Sequence, residues 1–250
     1  MILDPQGTIL ALFLAFCRMG GCIMTLPGFG SARVATNVRL LLAVAVSIAV
    51  LPLLWDVIYP RATAPGATYL GLVFTELLIG VVYGLIARLY TLGMQYAGAI
   101  VAMSIGFSAP GGADVLEDTS ASQLTSLLSF SAILMLFMLD FHHVVFRALV
   151  ESYSVTPMGN LVDPQRMLIT LTDTLRASTN LMLQLASPFL IYALMFNTAI
   201  GMINKLAPQI PVYFISAPFL IAGGLFLLYL SIAALVRQFA DGFAPIFLSF

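Results

Sequence analysis

Residues 201–212 read GMINKLAPQIPV and hold the only lysine of the chain, Lys205. On either side, residues 178–200 and 213–236 are almost wholly apolar, and each run can cross a bilayer, which takes about 20 residues. Asn204, Lys205, Pro208, Gln209 and Pro211 are crowded between them. Prolines remove backbone donors and push the residue before them out of the helical region. The spacing therefore predicts a helix ending near Lys205, a short polar turn, and a second helix beginning after Pro211. The fold class that follows is an all-α membrane protein built from long helical hairpins.

Composition extends this reading to the whole chain. Of the 250 residues, 61% are hydrophobic and 8% charged, and the mean hydropathy is +1.04; soluble domains are about one quarter charged. A net charge of −1 without any basic run excludes a nucleic-acid partner. Cys17 and Cys22 lie about 140° apart on a helix, so they suit neither a disulfide nor a metal knuckle and read as small buried hydrophobes. No lysine or arginine precedes Arg18, so residues 8–26 lack the basic start of a cleaved signal peptide and are expected to stay in the mature protein. Phe16 beside Cys17 argues against a lipidated cysteine.

The apolar runs are 8–26, 38–55, 69–109, 123–150, 178–204 and 212–237. The third is long enough for two passes, turning near Arg88 to Gly93. Alternation then places Arg33, Arg39, Arg88, Arg147, Arg166, Arg176 and Arg237 on one side of the membrane, with Arg61 and Lys205 opposite, and the carboxyl end in the cytoplasm. The competing reading is one long kinked helix, which reverses everything before it. Within this run Gly80 and Gly84 form GxxxG, and Gly98, Ala102 and Gly106 recur every four residues, a spacing that lets helix backbones approach closely.

Residues 108–122, SAPGGADVLEDTSAS, are the longest polar break. Pro110, Gly111 and Gly112 oppose regular structure, and Asp114, Glu117 and Asp118 require water or a cationic partner. The segment reads as a solvated connector or as a loop projecting into a pathway, since irregular backbone at membrane depth survives only against protein or a cavity.

Several ionisable residues fall inside apolar runs, where each costs about 2.5–3.5 kcal/mol and must face protein or water. They are Arg18, Glu76 and the group Asp140, His142, His143, Arg147 and Glu151; Arg18, Glu76, His142, His143, Arg147 and Glu151 are expected as buried polar positions. Arg147 and Glu151 have the i, i+4 spacing of a local ion pair. Adjacent histidines point about 100° apart on a helix, so Asp140, His142 and His143 predict no metal site without ligands from elsewhere. No GxSxG, HExxH, P-loop or dinucleotide fingerprint is present, and Ser104 or Ser126 with His142 is an arbitrary pairing. An enzyme is not expected, and neither is a cofactor. A proton-coupled transporter would use such carboxylates and histidines, but the two halves show no matching interruptions.

The order of these pieces resembles the FliR family of export-gate proteins. Arg18, Leu26-Pro27-Gly28-Phe29-Gly30, Val38-Arg39 and Leu51-Pro52 open the match. Glu76-Leu77-Leu78-Ile79-Gly80, Gly84, Ala97-Gly98 and Gly106-Phe107 follow. His142-His143, Glu151-Ser152-Tyr153, Pro157-Met158-Gly159, Asn197, Gly201, Ala207-Pro208-Gln209 and Pro218 complete it. Ser104 departs from the pattern, standing where the family often has glutamine.

The resemblance implies an inner-membrane subunit of the flagellar basal body, joined to FliP and FliQ in a closed helical assembly that exports unfolded flagellar proteins, with FlhB and FlhA nearby. A similar subunit serves virulence type III secretion. The resemblance makes residues 1–162 FliP-like, with a plug loop at about 106–122, and residues 163–250 a FliQ-like hairpin, within one integrated membrane unit. By position, Gly106, Phe107, Pro110, Gly111 and Gly112 become the pore plug. Asn204, Lys205, Pro208 and Gln209 become a cytoplasm-facing constriction. That placement conflicts with the charge distribution, which puts Lys205 outside. The resemblance is preferred, because the chain has only ten basic residues and helices that do not fully cross defeat alternation.

Overall fold

The computed structural model describes residues 4–30, 34–63, 66–107, 123–159 and 164–248, and every regular element among them is a helix. Helix α1 (Pro5–Thr25) carries Pro5 in its first turn, where a missing N–H costs nothing. It ends at Leu26, extended at ψ 132° ahead of Pro27. Helices α2 (Thr36–Val50) and α3 (Trp55–Ala62) meet at a bend of 107° around Pro52. Helix α4 (Gly66–Ser104) is followed by α5 (Gln123–Met138) and α6 (Phe141–Val155), which are separated by a break at Leu139 and Asp140. Helix α7 (Pro164–Leu206), α8 (Val212–Asp241) and α9 (Phe243–Leu248) complete the order. Among the described residues, four helices are long and apolar enough to cross a membrane, or up to six if each bent pair counts as one span.

The turn predicted from GMINKLAPQIPV lies between Leu206 and Val212. It is closed by Ala207 N–H to the Ile203 carbonyl at 2.9 Å and Ile210 N–H to the Ala207 carbonyl at 3.1 Å.

One expectation is corrected. No turn interrupts α4 at Arg88 to Gly93, where the helix runs unbroken for 39 residues. Residues 88–93 contain no proline, and an uninterrupted helix satisfies every backbone polar group in apolar surroundings. The one-sided arginine distribution rested on that turn and lapses with it. The apolar run 178–204 is the later part of a longer helix that begins at Pro164. Residues 164–177 mix polar and charged side chains with apolar ones, so hydropathy alone does not register them as part of the same helix. At 1.5 Å per residue α4 is about 58 Å long and α7 about 64 Å, roughly twice the hydrocarbon thickness of a bilayer.

The chain packs as two compact units: described residues within Met1–Tyr90, Asp140–Leu175 and Ala244–Phe250 form the first, and those within Thr91–Leu139 and Arg176–Phe243 the second. In the first, α1 packs on α2 and α3, and Leu14, Met19, Cys22 and Ile23 of α1 are buried. In the second, α5 packs on α8. There α7 and α8 run antiparallel, joined by the Tyr192 hydroxyl donating to the Leu220 carbonyl at 2.9 Å and by Gln238 Nε2 donating to Gln184 Oε1 at 3.1 Å.

Candidate functional site

Arg18, on α1, is fully buried at the centre of the first unit. Its Nε donates to Glu76 Oε2 at 2.6 Å and its Nη2 to Glu76 Oε1 at 2.8 Å, a two-pronged pairing with a carboxylate on α4. The Nη1 donates to Ser152 Oγ at 2.8 Å, the Nη2 also reaches the Thr156 carbonyl at 3.4 Å, and the guanidinium lies 3.7 Å from the centroid of the Tyr153 ring. One cation thus ties α1, α4 and α6 together. A planar guanidinium suits this place because its donors diverge in a fixed fork, each toward a different acceptor.

The approach of α4 to α1 depends on the GxxxG pair. A Cβ on Gly80 would overlap the Arg18 carbonyl, and one on Gly84 would overlap the Thr25 hydroxyl and lie 2.6 Å from the Cys22 carbonyl. Gly21 answers from α1, where a Cβ would stand 2.8 Å from the Leu77 carbonyl. In the second unit a Cβ on Gly98 would stand 3.3 Å from the Thr125 Cα, a tight contact without overlap, and Ala102 is buried. The small residues bring two backbones close enough for the Arg18–Glu76 pair to form. Cys17 and Cys22 are buried as free thiols.

The remaining expected buried polar positions are corrected. His142 is half-buried, while His143, Arg147 and Glu151 are exposed. Helix α6 buries Phe141, Val145, Ala148, Leu149 and Ser152, the face opposite the stripe 143, 147 and 151. Arg147 Nε pairs with Glu151 Oε1 at 2.9 Å on that outer stripe. The same periodicity exposes what the sequence reading missed: Ser152 belongs to the buried face and therefore needs a partner, which Arg18 supplies. Nothing in the spacing identifies Tyr153 as the ring beside that cation.

At the α5–α6 break Asp140 takes a left-handed backbone, φ 54° and ψ 34°. Its Oδ1 lies 4.0 Å from His142 Nε2 and 4.0 Å from His143 Nδ1. The two imidazole centroids are 4.3 Å apart, so helical spacing has not kept these neighbours separate.

The carboxyl end of α4 is closed by Gly106 at φ 74°, with Phe107 N–H donating to the Ala102 carbonyl at 2.9 Å and Gly106 N–H to the Met103 carbonyl at 3.1 Å. This is a Schellman stop, which asks for glycine at its left-handed position. Phe107 is exposed. Pro110, Gly111, Gly112, Asp114, Glu117 and Asp118 lie outside the described residues. At the other candidate position Lys205, Pro208 and Gln209 are exposed and Asn204 is half-buried.

Residues 9–246 match the family described as bacterial export proteins, family 1. The flagellar biosynthetic protein FliR of Caulobacter vibrioides is 28% identical over 91% of this chain and 90% of its own length. The Aquifex aeolicus protein of that name is 26% identical over 96% and 92%. The Escherichia coli protein of that name is 24% identical over 86% and 82%.

Proposed function

This chain belongs to the bacterial export proteins, family 1, as a FliR-family member, and from that membership we propose that it builds part of the export gate of the flagellar basal body. At the coarser level it is a membrane-embedded subunit of the flagellar export apparatus, with a structural or transport role. The proposed assembly is a closed helical pore shared with FliP and FliQ in the bacterial inner membrane, beside FlhB and FlhA, through which unfolded flagellar proteins leave. Relatives named for flagellar biosynthesis favour this system over the virulence equivalent.

One observation supports the reading beyond kinship. The most apolar windows of α7 and of the α8–α9 run bury only 17% of their residues inside the chain, although α1 buries 61%. Leu194, Met195, Phe214, Phe226 and Tyr229 stand exposed along the carboxyl-terminal hairpin. Each of these helices is longer than a single perpendicular crossing requires, so lipid alone does not cover them. FliP and FliQ supply the missing apolar faces. The division of residues 1–162 as FliP-like and 163–250 as FliQ-like belongs to the same proposal and describes ancestry rather than compactness.

Gly106, Phe107 and the following Pro110-Gly111-Gly112 act as the plug, beginning where the Schellman stop ends α4. Asn204, Lys205, Pro208 and Gln209 form the cytoplasmic constriction with matching turns of neighbouring subunits. Expression of the chain with and without FliP and FliQ tests the assembly: a monodisperse particle is expected only from co-expression, and a stable solitary particle would overturn it. Removal of residues 110–114 is expected to raise leakage of small solutes through the assembled complex. Unchanged leakage would remove the plug role while leaving the assembly intact.

A further inference from the structure

We propose that Asp140, His142 and His143 form a binding site for a divalent transition-metal ion of the zinc class, placed on the break between α5 and α6. Two imidazoles and one carboxylate are the nitrogen and oxygen donors that Zn²⁺ takes in three-ligand sites, with a further position left for water or a partner's side chain. One donor atom from each residue can be chosen so that all lie within 4.8 Å of one another. A tetrahedral centre with bonds of about 2.0–2.1 Å wants its ligands about 3.4 Å apart. The 4.0 Å separations between the carboxylate and both rings are close to that spacing. Side-chain rotation of Asp140 and His143, both exposed, closes the remainder without moving the backbone.

The left-handed backbone at Asp140 gathers the set. His143 N–H bonds to the Asp140 carbonyl at 2.9 Å, which fixes the residue as the start of α6 while its carboxylate stands beside the first-turn histidines. The His142 ring packs edge-on against buried Phe141, with centroids 6.0 Å apart, so one ligand is held in place before any ion arrives. A helix amino terminus carries partial positive charge that opposes a cation, and the Asp140 carboxylate offsets it. Ligation would tie Asp140 to the first turn of α6. The inference is independent of the export role, since it concerns only residues of this segment.

The test uses the chain co-expressed with FliP and FliQ and purified as their complex in detergent, without a polyhistidine tag, stripped with chelator and titrated with Co²⁺ alone, beside a complex carrying the variants below. The expected result is one Co²⁺ per copy of this chain, with the visible absorption of a low-coordinate site that added Zn²⁺ abolishes. His143→Ala and Asp140→Asn are each expected to weaken binding by about tenfold or more. Asparagine tolerates the left-handed backbone, and His143 is exposed, so neither change removes core packing. Glu151→Gln, two turns along the same stripe, is expected to leave binding unchanged. Absence of the absorption, or equal affinity in the His143→Ala and Asp140→Asn variants, would overturn the site.

Discussion

Arg18 and Glu76, 58 residues apart in the chain, meet as a two-pronged ion pair at 2.6 and 2.8 Å with almost no solvent on either side chain. Two charges taken out of water return little net stability over a well-packed apolar pair, yet each becomes expensive when its partner is removed. The pair therefore acts less as glue than as a register pin, because it forms only where α1 and α4 meet at one axial position.

Arg18→Ala or Glu76→Ala is expected to destabilise the fold by about 3–5 kcal/mol, since each strands a buried charge. The double change Arg18→Met with Glu76→Leu is expected to recover most of that loss. Loss of helical signal on titration with a denaturing detergent measures all three variants. A double variant as unstable as the singles would show that the pair contributes more than mutual neutralisation.

Gly80→Ala and Gly84→Ala push a methyl into the backbone and Thr25 side chain of α1. Overpacking of this kind costs about 1–3 kcal/mol, and at Gly80 it also displaces the Arg18 backbone. Gly98→Ala meets its nearest neighbour, Thr125 Cα, at 3.3 Å and is expected to change stability much less. The same detergent titration ranks the three.

Gly106→Ala places a Cβ on a backbone at φ 74°, with a penalty of about 1–2 kcal/mol. Gly106→Asn is expected to restore most of it, because asparagine visits the left-handed region readily. Hydrogen exchange at the Gly106 and Phe107 amides is the direct readout, with faster exchange in the alanine variant than in the asparagine variant.

Tyr192→Phe deletes the hydroxyl donated to the Leu220 carbonyl, a loss of about 0.5–1.5 kcal/mol. A Cβ on Gly223 would overlap that same hydroxyl, so Gly223→Ala is expected to be less damaging in the Tyr192→Phe background than alone. The four proteins make a double-mutant cycle, and additive effects would show that the two residues do not share this contact.

Residues 201–212 and the apolar runs around them were readable because the determinants are local. Pro208 and Pro211 end one helix and start the next regardless of what surrounds them, and a chain with 8% charged residues has no soluble core to build. Helical periodicity in α6 likewise separates Ser152 from the stripe of His143, Arg147 and Glu151, a sorting available before any coordinates but masked by grouping all ionisable residues as buried. Arg88 to Gly93 was harder. A single glycine in an apolar helix carries no decisive turn chemistry, and only the backbone path selects one 39-residue helix over two shorter ones.

Composition and proline placement by themselves determined the all-α membrane class and the carboxyl-terminal turn, because both depend on hydration and on backbone donors within a few residues. The tertiary structure decided which charge answers Arg18, how closely Gly80 admits α1, and how Asp140 gathers two neighbouring histidines. These depend on the axial register of helices distant in sequence and on one left-handed dihedral, and neither is encoded in the hydropathy of any single stretch.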